Sequence, residues 1–242
     1  MLQPEVKTVQ GQLNKTIRFL FPTTKFKTLA CGRTDAMVSA NESYVELFIE
    51  EELKEEIFLK NLELNLPQDI QVQSIETVSA SFEVIGDVQY KEYHYLFTDT
   101  EMSPMCAGMM TKFREKLDFD VMQKAAEHFQ GRHWFGNYCY KKDHLDSDQF
   151  YREILESKLI ENDLYQANFF PDRSYLYKIS GKGFMRHQVR MMVGALINLG
   201  RGQWDWETFI KSLDPQLYSK ESKELTPLIA PASGLILNHV KY

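Results

Sequence analysis

The chain has 242 residues, 43% hydrophobic and 26% charged, with a formal net charge of -6, enough for one large or two modest domains around a real core. No run approaches the ~18 consecutive apolar residues of a membrane helix, and Met1 to Glu5 lack the basic and apolar segments of a signal peptide. Cys31, Cys106 and Cys139 are odd in number without Cys-x-x-Cys spacing, and the six histidines are scattered; this argues for a reducing compartment, the cytoplasm by default, and against a zinc site.

An acidic balance argues mildly against nucleic acid as a partner, because phosphate binding usually leaves a basic footprint. Local clustering matters more than the total. Positive charge gathers at Lys182, Arg186, His187, Arg190 and Arg201, while acids dominate Glu50 to Glu56 and Asp143 to Asp148. The pattern is one basic face on an acidic body.

Val6, Val9, Leu13, Ile17 and Leu20 recur at helical spacing, with Thr8 as N-cap and Pro22 just past the end. A strand from Phe26 to Ala30 follows, then a loop around Gly32-Arg33-Thr34-Asp35, then a strand from Tyr44 to Ile49. Glu51 to Leu64 reads as a second helix that Pro67 closes off. Strands over Gln71 to Val78 and Val88 to Phe97 complete an αββαββ series. A soft boundary near residue 102 divides the chain into 1–101 and 102–242.

The second part opens with a helical stripe of Val121, Met122, Ala125, Ala126 and Phe129, capped by Asp118 or Asp120. Strands are expected at Glu153 to Ile160 and Tyr175 to Ile179. A longer helix follows from Phe184 to Leu199, ending at Gly200, then a short helix from Trp206 to Leu213 and a strand from Leu235 to Val240. Helices and strands mix without regular βαβ alternation, so the fold class is α+β.

Arg33 and Asp35 sit on a short connection between two strands, where rigid scaffolds tend to display chemistry. The same residues also fit a solvated turn with a weak ion pair. Tyr93, Tyr95 and Phe97 alternate on one strand face, as core packing or as an aromatic platform with one wet edge. Arg186 and Arg190 flank the apolar stripe Val189, Met192, Val193, Leu196 and Leu199 at a spacing where like charges repel slightly. A partner should compensate them.

Gly32-Arg33-Thr34-Asp35-Ala36 resembles the signature of the TruA-type tRNA pseudouridine synthases. The likeness extends through Lys91-Glu92-Tyr93-His94-Tyr95, the Val189-Arg190 to Val193-Gly194 helix and the closing Gly234-Leu235-Ile236-Leu237 strand. Gly131-Arg132-His133-Trp134-Phe135 also fits, and the motifs keep their order from about Glu5 to Tyr242. The resemblance implies two ferredoxin-like halves, with mainly antiparallel sheets joined around a central active-site cleft. It implies Asp35 as the catalytic residue, Tyr93 stacking on the uracil and relaying a proton, and Arg190 pairing with Asp35 and keeping it ionised. Arg33 would reach into the RNA to hold the target base out, Leu235 or Leu237 would line the uracil pocket, and Lys182, Arg186 and His187 would contact substrate. The family needs no cofactor and no metal. It acts as a homodimer on the anticodon arm of tRNA, at uridines 38 to 40 by default.

Three departures stand out. Relatives begin with a strand carrying Tyr-Asp-Gly and Gly-Trp-Gln, and Met1 starts after that point, so the first strand is expected to be missing. Relatives usually have Gly and His at the positions of Met37 and Ser39, and Glu83 to Val88 lacks their basic residues. These departures motivate a rival, a non-catalytic RNA-binding or chaperone-like paralogue. The intact quartet of Asp35, Arg33, Tyr93 and Arg190 argues against it.

Overall fold

The computed structural model describes residues 7–140, 147–217 and 224–242; Met1 to Val6 and most of the acidic stretch 143–148 lie outside the described residues. In chain order the elements are α1 (Val9–Leu20), β1 (Phe26–Ala30), β2 (Ser39–Ala40), β3 (Val45–Ile49), α2 (Glu55–Asn65), β4 (Tyr90–Thr98) and β5 (Thr111–Lys112). They continue with α3 (Phe119–His128), β6 (Gly131–Trp134), β7 (Tyr151–Glu161), β8 (Tyr175–Gly181), α4 (Gln188–Gly200), α5 (Trp206–Lys211) and β9 (Leu235–Lys241). The α+β class holds. Packing makes two compact units, one from the described residues up to Arg33 with Ser43–Val88, the other from Thr34–Glu42 with Gln89–Tyr242. The chain therefore passes between units after Arg33, Glu42 and Val88.

In the smaller unit Thr8 caps α1, its hydroxyl accepting from the N–H of Gly11 at 3.0 Å. The apolar face of α1 buries Ile17 against Phe58 and Leu62 of α2. β1 and β3 pair antiparallel from Phe26 opposite Ile49 to Ala30 opposite Val45. α2 begins four residues later than its acidic lead-in suggests, because Lys54 holds an extended backbone. The expected strand over Gln71 to Val78 is not formed among the described residues: Val72 and Ile75 pack onto the helix cluster, and the segment joins no ladder with another described strand. Spaced three apart, Val72 and Ile75 would point to opposite faces of a strand, and both are instead partly buried on one cluster. The expected αββαββ series is thus not completed within this unit, and its last strand, β4, belongs to the larger one.

The larger unit is a seven-stranded sheet in the order β2-β9-β4-β8-β7-β6, with β5 attached to β4. β4, α3, β7, β8, α4 and β9 run as β-α-β-β-α-β, and the central order β9-β4-β8-β7 is that of a split βαββαβ unit. These central strands pair antiparallel; the parallel pairs are β2 with β9 and β4 with β5. Residues of α3 and α4 join Tyr95, Tyr177, Ile179 and Leu159 of the sheet in the main core. A smaller cluster contains Leu96, Leu176 and Ile236 from intervening strand positions.

α3 starts at the cap Asp118, whose carboxylate accepts from the N–H of Val121. α4 starts at Gln188 rather than Phe184. His187 takes left-handed dihedrals (φ 61°) that no α-helix continues through, and the Gln188 side chain accepts from the N–H of Met185 at 2.9 Å. Of its 13 residues only Arg190 is not buried. A helix apolar all round is a core helix, and one charge on it calls for a partner.

Candidate active site

The edge of the large sheet sets the geometry. β9 receives β2 in parallel, Ser39 against Ile236 and Ala40 against Leu237, and the N–H of Asn41 donates to the Leu237 carbonyl at 2.9 Å. A turn precedes β2, closed by the N–H of Val38 donating to the carbonyl of Asp35 at 3.2 Å. Met37 completes it at φ 69°, the left-handed region that glycine enters as readily as any other. Val38 packs against the core, and the Asp35 side chain is left 33% exposed.

Arg190 meets this carboxylate from α4. Its Nη1 donates to Asp35 Oδ2 at 2.6 Å, across 155 residues of sequence, and its Nε donates to the Ala230 carbonyl at 2.7 Å. Ala230 in turn donates its N–H to the Arg190 carbonyl at 3.1 Å. Segment 228–231 can lie this close because of Gly194, where a Cβ would stand 1.8 Å from the Leu228 carbonyl oxygen. Tyr95, fully buried, donates its hydroxyl to the Pro231 carbonyl at 2.9 Å. The guanidinium is therefore aimed by backbone on one edge and spends the other on the carboxylate, a division that suits its planar fork.

His187 Nε2 lies 3.2 Å from the second carboxylate oxygen, Oδ1. Its ring stacks on Tyr140, centroids 4.9 Å apart at 27°, and the N–H of Tyr140 donates to the Arg186 carbonyl. Burial lowers the imidazole pKa from its ordinary value; Asp35 pulls it back up, while Arg190 and Arg186 push it further down. The Arg186 guanidinium lies over the opposite partner of that stack, 5.2 Å from the Tyr140 ring centroid. Arg186 thus precedes α4 and is engaged elsewhere, so it is not the helical neighbour of Arg190 that a helix from Phe184 would make it.

Tyr93 is half-buried on β4, where the ladder to β9 shifts between Glu92 and Tyr93. Its ring meets Phe184 edge-on at 5.4 Å. Leu237 sits across from it and Leu235 across from Tyr95, both leucines buried. Lys182 and Arg186 are exposed in the segment between β8 and α4, and Arg33 is exposed at the end of the smaller unit's first segment. Asp35, Arg190 and His187 are in direct contact; Tyr93, Leu235 and Leu237 share adjacent strands. Sequence reasoning assigned His187 to substrate and missed its contact with the carboxylate, and nothing in the sequence flagged Tyr140 or the Ala230 carbonyl.

A carboxylate held by Arg190 on one oxygen and faced by His187 on the other can act as nucleophile or base. Comparison with known proteins points the same way. A family model described as tRNA pseudouridine synthase matches residues 125–242. The chain is similar to tRNA pseudouridine synthase A of Thermosipho africanus, 31% identical over 241 residues that cover 99% of this chain and 92% of that protein. The corresponding protein of Thermosipho melanesiensis is 30% identical with the same coverage. A protein of Bacillus cereus named tRNA pseudouridine synthase A 1 is 27% identical over all of this chain and 92% of its own length.

Proposed function

Because the chain belongs to the tRNA pseudouridine synthase family, we propose that Asp35 is its catalytic carboxylate and the anticodon arm of tRNA its target. The enzyme isomerises uridine to pseudouridine in tRNA. In that reaction the N1–C1′ glycosidic bond breaks, the uracil turns, and a C5–C1′ bond forms. The proton on C5 is lost and one is gained at N1, so nothing is added or removed overall. The uridine must leave the base stack to be reached. Such chemistry asks for an ionised carboxylate beside the sugar, either to attack the ribose carbon or to take a proton from the ribose.

The observation that carries the reading is the Arg190–Asp35 pair at 2.6 Å, with the guanidinium fixed by the Ala230 carbonyl. Arg190 supplies the counter-charge in a partly buried site, where it is screened less than at the surface. Tyr93 offers the flipped uracil a stacking face and a hydroxyl for proton transfer, and Leu235 and Leu237 form the apolar wall below it. By the family resemblance Arg33 holds the target base out; Lys182 and Arg186, exposed ahead of α4, contact the RNA. We read the chain as two ferredoxin-like halves acting as a homodimer in the cytoplasm, with uridines 38 to 40 as substrates.

The test is incubation of the purified 242-residue chain with unmodified tRNA transcripts, mapping pseudouridine by chemical labelling. Product should appear in the anticodon arm and vanish in Asp35→Ala, with tRNA binding and the folded state retained. Product that persists in Asp35→Ala would falsify the assignment. Binding without product in the unaltered chain would favour the non-catalytic paralogue.

A further inference from the structure

We propose that His187 is a positioning residue for Asp35, its imidazole donating Nε2–H to Oδ1 while Arg190 holds Oδ2. The inference rests on reading Asp35 as the catalytic carboxylate, and it replaces the expectation that His187 touches RNA.

Four observations converge on it. First, His187 and Met37 are the two non-glycine residues at positive φ among those described, and both lie at this site. Left-handed backbone is costly for a side chain with a Cβ and persists where surrounding structure imposes it. Here it ends the lead-in to α4 and turns the imidazole toward the loop that carries Asp35. Second, the side chain is 14% exposed and stacks flat on Tyr140, so the ring has little freedom to swing out to a ligand.

Third, Nδ1 is buried without a hydrogen-bond partner among the described residues. A proton on Nδ1 would be a buried donor left unmet, which is expensive. The tautomer with the proton on Nε2 avoids this and places that proton on the side of Asp35. Fourth, the two donors divide the carboxylate between them: Oδ2 to Arg190 at 2.6 Å and Oδ1 to His187 at 3.2 Å. One donor alone would leave the carboxylate free to rotate about its Cβ–Cγ bond; two fix its plane and leave the remaining lone pairs for the ribose.

Among the described residues, the charged groups facing the ring are Asp35 from the β2 loop, Arg190 from α4 and Arg186 from the segment before it; Tyr140 faces it as a ring. Burial and the two arginines favour the neutral ring. A second proton would add positive charge to the carboxylate's surroundings and damp its reactivity, so kcat should fall as the medium is acidified below the imidazole's usual 6.5.

The experiment compares His187→Ala and His187→Gln in the full chain, measuring kcat at saturating tRNA, tRNA Kd and the pH profile. Glutamine keeps an N–H at the reach of Nε2 but cannot titrate. His187→Ala should lose about 10- to 100-fold in kcat, the range expected for a lost hydrogen bond to a charged group, with Kd within about twofold. His187→Gln should recover most of the rate and lose the acid limb that the unaltered enzyme shows. Unchanged kcat in His187→Ala, a loss confined to Kd, or equal impairment of both variants would each overturn the proposal. Imidazole nitrogen shifts by NMR on the unaltered chain give an answer independent of variant folding: Nε2 protonated at pH 7 is expected, and Nδ1 protonated would sink it. If Asp35→Ala keeps turnover, the reading of Asp35 fails. If that variant is dead and His187→Ala is untouched, this inference alone fails.

Discussion

At the scale of single residues, the turn that presents Asp35 carries its own strain. Met37 is 68% exposed and sits at φ 69°, so its side chain earns little packing against an unfavourable backbone. Left-handed geometry costs a residue with a Cβ about 1–2 kcal/mol, and glycine returns about 0.5–1 of that as unfolded-state entropy. Met37→Gly should therefore raise stability by about 0.5–1 kcal/mol, read as a shift in the urea midpoint at constant slope. The resemblance made this position visible, since glycine is usual there. It also carried the pairing of Arg190 with Asp35, which periodicity could never deliver across 155 residues. What local reasoning did supply was an anomaly: a charge on an apolar helix, needing a partner. The role of His187 stayed hidden, because a left-handed backbone at a histidine leaves no compositional mark.

At the scale of elements, the aim of Arg190 depends on a close approach rather than on its own helix. Gly194→Ala would gain helix propensity, yet its Cβ would stand 1.8 Å from a backbone oxygen that no rotamer change can move. Segment 228–231 must then lift, taking the Ala230 carbonyl away from Nε of Arg190. The expected result is a loss of about 1–3 kcal/mol of stability together with a fall in kcat larger than any change in tRNA Kd. Normal kcat in a stably folded Gly194→Ala would show that the carbonyl does not direct the guanidinium. Elements with caps and long periodic stripes, such as α1 and α3, were legible to within a few residues. β2 was not, since two residues cannot display an alternation, and over 71–78 the β-branched Val72 and Ile75, a residue type that favours strands, pack onto the helix cluster instead.

At the scale of the whole molecule, buried histidines tie stability to pH. His94 is 2% exposed, its Nε2 3.0 Å from Glu92 and its Nδ1 2.8 Å from the Tyr165 hydroxyl. Burial lowers its pKa, opposed by Glu92 and aided by Lys178; His187 is lowered as well. Below their usual 6.5 the unfolded chain binds more of these protons than the folded one. Stability from these groups is therefore complete above 6.5 and is lost as pH falls through the depressed folded values. Urea midpoints should hold steady from pH 8 to 7 and decline from 6.5 toward 5. A flat profile across that lower interval would contradict the burial argument.

The pairing of β2 with β9 has a consequence for how the protein is made. Asn41 and its partner Asn238 lie 197 residues apart in sequence. At a translation rate of 5–20 residues per second, roughly 10–40 s separate the emergence of the loop from that of the strand it lies on. During that interval a nascent chain holds the loop of Asp35 with no sheet edge to receive it, even after α4 has appeared. The carboxylate is set only once β9 has left the ribosome, so turnover waits for that strand.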